Sequence, residues 1–193
     1  MPWEKTFDVQ ETLEKAMNAF WARGYEATSV QDLVESTGLN RGSLYATYGD
    51  KHALFLAALR RYDRWLREEL LQRIEADHGP RDAVRRLLLL FRAETARPGG
   101  SSGCFLTNTA LELAPHDPQV RGVVATAQTA MEQWFARMIS KGQAAGEIPE
   151  HVRPSEAARG LLATLIGLAV LARSRPEPPL VDDIVEDAMR RLE

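Results

Sequence analysis

The chain has 193 residues, 45% of them hydrophobic, with a formal charge of −3 and one cysteine. That much apolar material suits a globular core and excludes overall disorder, and a lone Cys104 excludes an intrachain disulfide framework. The longest apolar run, Leu161 to Ala172, falls short of the ~20 residues of a membrane span, and no secretory leader follows Met1, so the expectation is a cytoplasmic protein without a membrane partner.

Taken in chain order, the apolar residues recur at helical spacing and nowhere alternate over strand length. A first helix is predicted over Val9 to Arg23, with Leu13, Ala16, Met17 and Phe20 on one face and Gly24 as its stop. Thr28-Ser29-Val30-Gln31 reads as a capping box, Thr28 capping a short second helix and Gln31 reaching back. That helix ends at Gly38. A third short one starts at Asn40 or Arg41 and ends near Tyr48. Asp50 caps a long, arginine-rich fourth helix reaching about Asp77, broken by Gly79-Pro80.

The fifth helix is predicted over Pro80 to Arg97, followed by a Pro98–Gly103 loop. A sixth runs from Cys104 to Leu113, and Pro115-His116-Asp117-Pro118 forms a turn. The seventh spans Pro118 to Ala145, and the eighth starts at Pro154 or Ser155 and reaches Arg173. Pro176, Pro178 and Pro179 read as a stiff connection to a last helix over Val181 to Leu192. The fold class is therefore all-α, about nine helices: an N-terminal three-helix unit (residues 1–50) and a larger helical bundle (51–193) joined through the fourth helix.

The two short helices around Gly38 have the spacing of a helix-turn-helix. Leu33, Leu39 and Leu44 pack the pair, and Gly38 supplies a turn where a side chain at positive φ would be strained. Arg41, Gly42, Ser43, Ala46 and Thr47 then point outward, as a probe of a major groove requires. Charge argues the other way. Residues 1–50 hold four cations against eight acids, a net −4, where nucleic-acid-binding modules usually show a basic footprint. DNA binding then requires the acids to lie on faces turned away, notably Glu11 and Glu14.

The run Ala19-Phe20, Gly24-Tyr25, Thr28-Ser29-Val30, Leu33, Gly38-Leu39-Asn40-Arg41-Gly42-Ser43-Leu44-Tyr45, Tyr48-Gly49-Asp50-Lys51 and Ala53-Leu54 resembles the DNA-binding region of TetR-family regulators. The resemblance is gap-free over about residues 9–55. It implies a palindromic double-stranded DNA operator, a homodimer, a small-molecule effector and, as the usual action, repression. Arg41 becomes the candidate for a guanine or phosphate contact, Gly42 for close backbone approach, and Ala46 for a thymine methyl. Ser43, Tyr45 and Thr47 become candidate phosphate contacts, with Thr28, Ser29 and Lys51 at helix starts. Tyr48, His52 and Val34 depart from the family's usual phenylalanine, acid and alanine, and Lys5 is the only lysine of the N-terminal arm. Gly103-Cys104-Phe105-Leu106 with Glu112-Leu113-Ala114-Pro115 resembles one subgroup's regulatory domain.

In the predicted eighth helix, Gly160, Ala163, Thr164 and Gly167 allow close helix approach, as a twofold dimer interface or as a central core helix. The resemblance also implies an effector pocket between the fourth and seventh helices. Trp65, Phe91, Cys104, Phe105, Met131, Trp134 and Phe135 are its candidate lining, although aromatics at this spacing also form plain core. Cys104, at a predicted helix start, is either an inert buried thiol or a sensor of oxidation or alkylation.

Two other classes compete with this reading. Gly99-Gly100-Ser101-Ser102-Gly103 matches a nucleophile elbow, but that chemistry needs a preceding strand where a helix is predicted. His52, His78, His116 and His151 are scattered, so neither catalysis nor a metal or other cofactor is expected. A helical adaptor without DNA affinity is the reading that the acidic N-terminal segment would favour.

Overall fold

The computed structural model describes residues 8–96 and 102–193, and all regular structure among them is helical. The helices are α1 (Val9–Arg23), α2 (Val30–Thr37), α3 (Arg41–Tyr48), α4 (Lys51–Trp65), α5 (Leu71–Asp77), α6 (Pro80–Thr95), α7 (Phe105–Glu112), α8 (Pro118–Ala144), α9 (Pro154–Ser174) and α10 (Pro178–Arg190). A π-helical stretch, Leu66–Leu70, fuses α4 to α5, so these form nine continuous helices among the described residues. Residues 98–101 of the predicted loop, with most of the elbow-like glycine-serine run, and Lys5 in residues 1–7 lie outside the described residues, whereas Ser102 and Gly103 are described.

The helix ends follow local chemistry. Asp8, Asn40, Asp50 and Asp117 each accept amide hydrogen bonds at the start of α1, α3, α4 and α8, which satisfies donors that the helix cannot. One expectation holds with an addition, and two need correction. The fourth helix is unbroken but contains the π-turn, where the Leu71 N–H bonds the Leu66 carbonyl. The extra residue turns the downstream face, so Leu71 and Ile74 enter the bundle core. Pro178 and Pro179 open α10 rather than linking to it, because a first-turn proline lacks only an N–H with no helical partner. The capping box sits one residue later than expected, as described below.

Two apolar cores organise the packing. One belongs to the bundle, where α5, α6, α8, α9 and α10 bury Leu88, Trp134, Phe135, Leu168 and Val185. The other joins the N-terminal unit to the bundle. Phe20, Leu33 and Leu44 pack with Phe55 and Leu59 of α4, and also with Phe105 of α7 and Val120 of α8. The three-helix head therefore shares its core with helices beyond residue 50.

Helix α9 extends past its apolar run to 21 residues and is by length and composition apolar enough to cross a membrane. It packs instead among α6, α7, α8 and α10. Only 28% of its most apolar window is buried within the single chain, so one face is open. Ala163 and Val170 are exposed on it, with Gly160 and Gly167 half-buried. A β-carbon added at Gly167 would meet nothing within 4 Å, and one at Gly160 only an Arg191 nitrogen at 3.9 Å.

Candidate DNA interface and effector cavity

The helix-turn-helix is built by its turn and caps. Gly38 takes φ 74°, ψ 8° and its N–H bonds the Val34 carbonyl, closing α2 in the left-handed conformation. Leu33 and Leu44 are buried at 1% exposure on facing helices, which leaves the opposite face of α3 to solvent. The Asn40 side chain accepts from the Ser43 N–H at 2.9 Å and starts α3. Gly42 has a local reason beside any close approach to DNA: a β-carbon there would lie 3.3 Å from the Asn40 Oδ1.

Arg41, Gly42 and Ala46 are exposed on α3, with Ser43, Tyr45 and Thr47 half-exposed beside them. The Arg41 guanidinium lies 5.3 Å from the Tyr45 ring centroid, and the Lys51 ammonium 4.3 Å from that of Tyr25. Both cations thus rest on aromatic faces, which limits their freedom before any partner arrives. Tyr48 carries its hydroxyl for a structural purpose, donating to the Val9 carbonyl at 2.9 Å and pinning α3 to α1.

Thr28 does not fill its expected role. It is fully buried, and its hydroxyl donates to the Gly24 carbonyl at 2.6 Å, so that hydroxyl is unavailable to a phosphate. Ser29 is the N-cap of α2, exposed and reciprocally bonded with Asp32. Gln31 instead donates to Glu35 at 3.0 Å. Hydrogen bonds from the Ser29 hydroxyl and amide, with the Arg23 guanidinium beside them, hold the Asp32 carboxyl below its ordinary range.

The acidity of the head is largely consumed locally. Asp8 and Asp50 cap helices, Asp32 bonds Ser29 and Arg23, Glu11 pairs with Lys15 and Glu14 with Arg61. His52 is likewise accounted for, its Nε2 standing 2.5 Å from the Asp117 carboxylate at the α8 N-terminus. Backbone N–H groups of Val120 and Gln119 together with His52 hold that carboxyl below its ordinary range.

Beneath the head lies a cavity of about 330 Å³, walled mainly by apolar and aromatic side chains. Of the expected lining, Trp65, Phe91, Cys104 and Met131 reach it. Phe105, Trp134 and Phe135 do not: each is at most 1% exposed and belongs to the cores. The Trp134 indole instead donates to Glu75 at 2.7 Å. Sequence reasoning missed Tyr62, Leu66, Leu70 and Leu87, and above all Trp21, which comes from α1 of the head. Burial, with Cys104 beside it, holds the Tyr62 phenol well above its ordinary range. It is therefore a neutral hydroxyl, 3.7 Å from the Cys104 Sγ. A larger cleft of about 690 Å³ between the fused α4–α5 helix and α8, the place expected for the pocket, takes in Trp134 but is open and lined by charged groups such as Arg67, Glu68 and Arg137. The apolar cavity is the better small-molecule site.

An exposed, capped second helix after a left-handed glycine, mounted on a helical bundle with an apolar cavity, defines a helix-turn-helix DNA-binding protein. Comparison with known proteins narrows the class. Residues 13–58 match the bacterial regulatory proteins of the tetR family, and residues 80–187 match the tetracyclin repressor-like C-terminal domain. The HTH-type transcriptional repressor ComR of Escherichia coli K12 is 32% identical over 170 residues, covering 88% of this chain and 81% of its own. The uncharacterized HTH-type transcriptional regulator YezE of Bacillus subtilis is 30% identical over 190 residues, 98% of each chain. Among solved structures, the TetR family regulator CifR, a cysteine mutant bound to 26-base-pair operator DNA, superposes with a TM-score of 0.84. It is 27% identical and covers 98% of this chain and 99% of its own. The chain belongs to the TetR family of DNA-binding transcriptional regulators.

Proposed function

We propose that the protein is a cytoplasmic homodimeric repressor that reads a palindromic operator through α3 and releases it when a small apolar molecule fills the cavity. The observation that carries this reading is the position of Trp21: one side chain of the DNA-reading unit forms part of the cavity wall. A ligand bound there contacts the head directly, and release follows if it favours an arrangement in which the two heads are misaligned. Arg41 and Ala46 meet base edges, while Ser29, Ser43, Tyr45, Thr47 and Lys51 meet phosphates. The open face of α9, with Gly160, Ala163, Thr164 and Gly167, supports dimerisation across a twofold axis beside α10. The repressor names of the relatives support the direction of control.

The test is release of a bound operator by aromatic, weakly polar compounds, run in parallel with Phe91→Ala protein. A compound acting through the cavity changes potency when that wall is removed. Equal potency on both proteins places its site elsewhere and contradicts the effector assignment.

A second signal has a specific observation behind it. Cys104 is half-buried, lines the same cavity and contacts the Tyr62 hydroxyl. Alkylation by N-ethylmaleimide would put bulk where a ligand would sit. Operator release by this reagent that persists in Cys104→Ser protein removes the cysteine from the mechanism.

A further inference from the structure

Helix α7 touches the head at both of its ends. At its start, the Gly103 carbonyl accepts a hydrogen bond from the Trp21 indole N–H at 3.1 Å. At its close, the Glu112 carboxylate accepts from the Tyr25 N–H at 3.2 Å and from the Glu26 N–H at 3.0 Å, one on each oxygen. These two amides lie at the corner between α1 and α2, and three residues after Glu26 comes Ser29, the N-cap of α2. The fit at the corner is close. Gly24 takes φ +87°, and a β-carbon on it would stand 2.7 Å from a Glu112 oxygen.

We infer that Glu112 is a positioning residue that fixes the angle of the reading head on the bundle, and thereby the half-site spacing that the dimer accepts. The inference rests on the homodimer reading above. The carboxylate's hydrogen bonds to the described residues go to Tyr25 and Glu26, ahead of α2, and not to α3, the helix that would meet bases. Glu112 holds the corner from which α2 and α3 project. In a twofold dimer the separation and orientation of two such helices must match the operator's two half-sites along the duplex. A head held by hydrogen bonds at both ends of α7 has one orientation, and a head freed at one end samples several. Two charge-assisted hydrogen bonds to one helix add a directional restraint to a corner whose Tyr25 also packs on Phe20 and Phe55. Gly103, Cys104 and Thr107 at the other end of α7 line the cavity, so a displacement begun there is carried to Glu112 along roughly 12 Å of helix, at about 1.5 Å per residue.

The substitution that isolates this role is Glu112→Gln. It keeps size and shape but offers one acceptor oxygen, and its amide N–H groups face a backbone donor. Trp21→Phe removes the other bond while keeping an aromatic ring in the cavity wall. Operators are made from the palindrome selected by the wild-type protein, with the spacer lengthened or shortened by one and two base pairs. A purely structural loss would weaken binding to every spacing alike. The inference expects the preference of wild-type protein for its own spacing to shrink in Glu112→Gln by at least about fivefold, the lower end of a typical coupling between sites. Trp21→Phe shrinks it in the same direction. Amide exchange at Tyr25 and Glu26 accelerates in Glu112→Gln without DNA. Unchanged spacing preference, or unchanged protection of both amides, overturns the inference. Failure of the wild-type protein to select any palindrome is a different result: it removes the dimeric reading and this inference with it.

Discussion

Gly167 offers a substitution whose effects on the protomer and on the dimer have opposite signs. Within one chain a β-carbon at this position meets nothing within 4 Å, so the first carbon of the Gly167→Leu side chain is accommodated there. Glycine in a helix interior is less favourable than ordinary helix formers by roughly 0.5–1 kcal/mol, so the protomer gains about that amount. If the open face of α9 is the dimer seam, the same side chain meets the partner's helix. Overpacking a close contact costs roughly 1–3 kcal/mol per site. The twofold axis places one such site in each protomer, for a total of about 2–6 kcal/mol. At 1.4 kcal/mol per tenfold, the dimer dissociation constant rises from about 30-fold to about 10⁴-fold. Sedimentation equilibrium reads the dimer constant, and urea unfolding at concentrations below it reads the protomer. An unchanged dimer constant would refute the placement of the seam. A destabilised protomer would refute the claim that Gly167 faces open space.

Three further outcomes follow from the same geometry. Arg41→Ala removes the exposed guanidinium of α3 and weakens operator binding by about 1–3 kcal/mol in a titration, with relaxed specificity at one base position; unchanged affinity places the contact elsewhere. Gly24→Ala forces a β-carbon into a backbone conformation held almost only by glycine, φ 87°, ψ 174°, and against Glu112, so thermal unfolding shows a loss of about 1–3 kcal/mol. The Asp117 carboxyl titrates lower in the folded protein than in the unfolded chain. Its contribution is therefore complete above the unfolded value and is lost as pH falls through the folded one. Relative to wild type, Asp117→Asn is destabilised at pH 6 by an amount that shrinks below about pH 4, and a gap that widens in acid contradicts this sign.

Elements governed by local chemistry were legible in the sequence. Gly38 ends α2, Asp50 caps α4, and Pro118 and Pro154 open α8 and α9, because each acts through its own backbone and nearest neighbours. The recognition helix emerged in the same way, from Asn40 and the buried Leu33 and Leu44. Features decided by tertiary packing were not legible. Thr28 and Ser29 are both good caps; Asp32, three residues after Ser29, bonds back to it, while Thr28 is buried with its hydroxyl on the Gly24 carbonyl. The sequence around Leu66 reads as ordinary helix, and nothing local marks the π-turn. Met131 and Phe135 are one turn apart on α8 and share the bundle core, yet only Met131 also reaches the cavity, a difference that periodicity cannot resolve. Trp21 and Glu112 act across more than 80 residues of chain. Their roles exist only once α7 is docked against the head.

Selection of bound duplexes from a random pool decides most directly whether this chain reads DNA as a symmetric dimer despite an acidic head. Titration of the enriched sequence at two salt concentrations completes the measurement. The expected result is a palindrome whose affinity falls steeply as salt rises, since phosphate contacts by Lys51 and its neighbours would release counterions. No enrichment by folded protein, or binding indifferent to salt, would contradict it and favour a helical adaptor whose acidic head meets a protein partner.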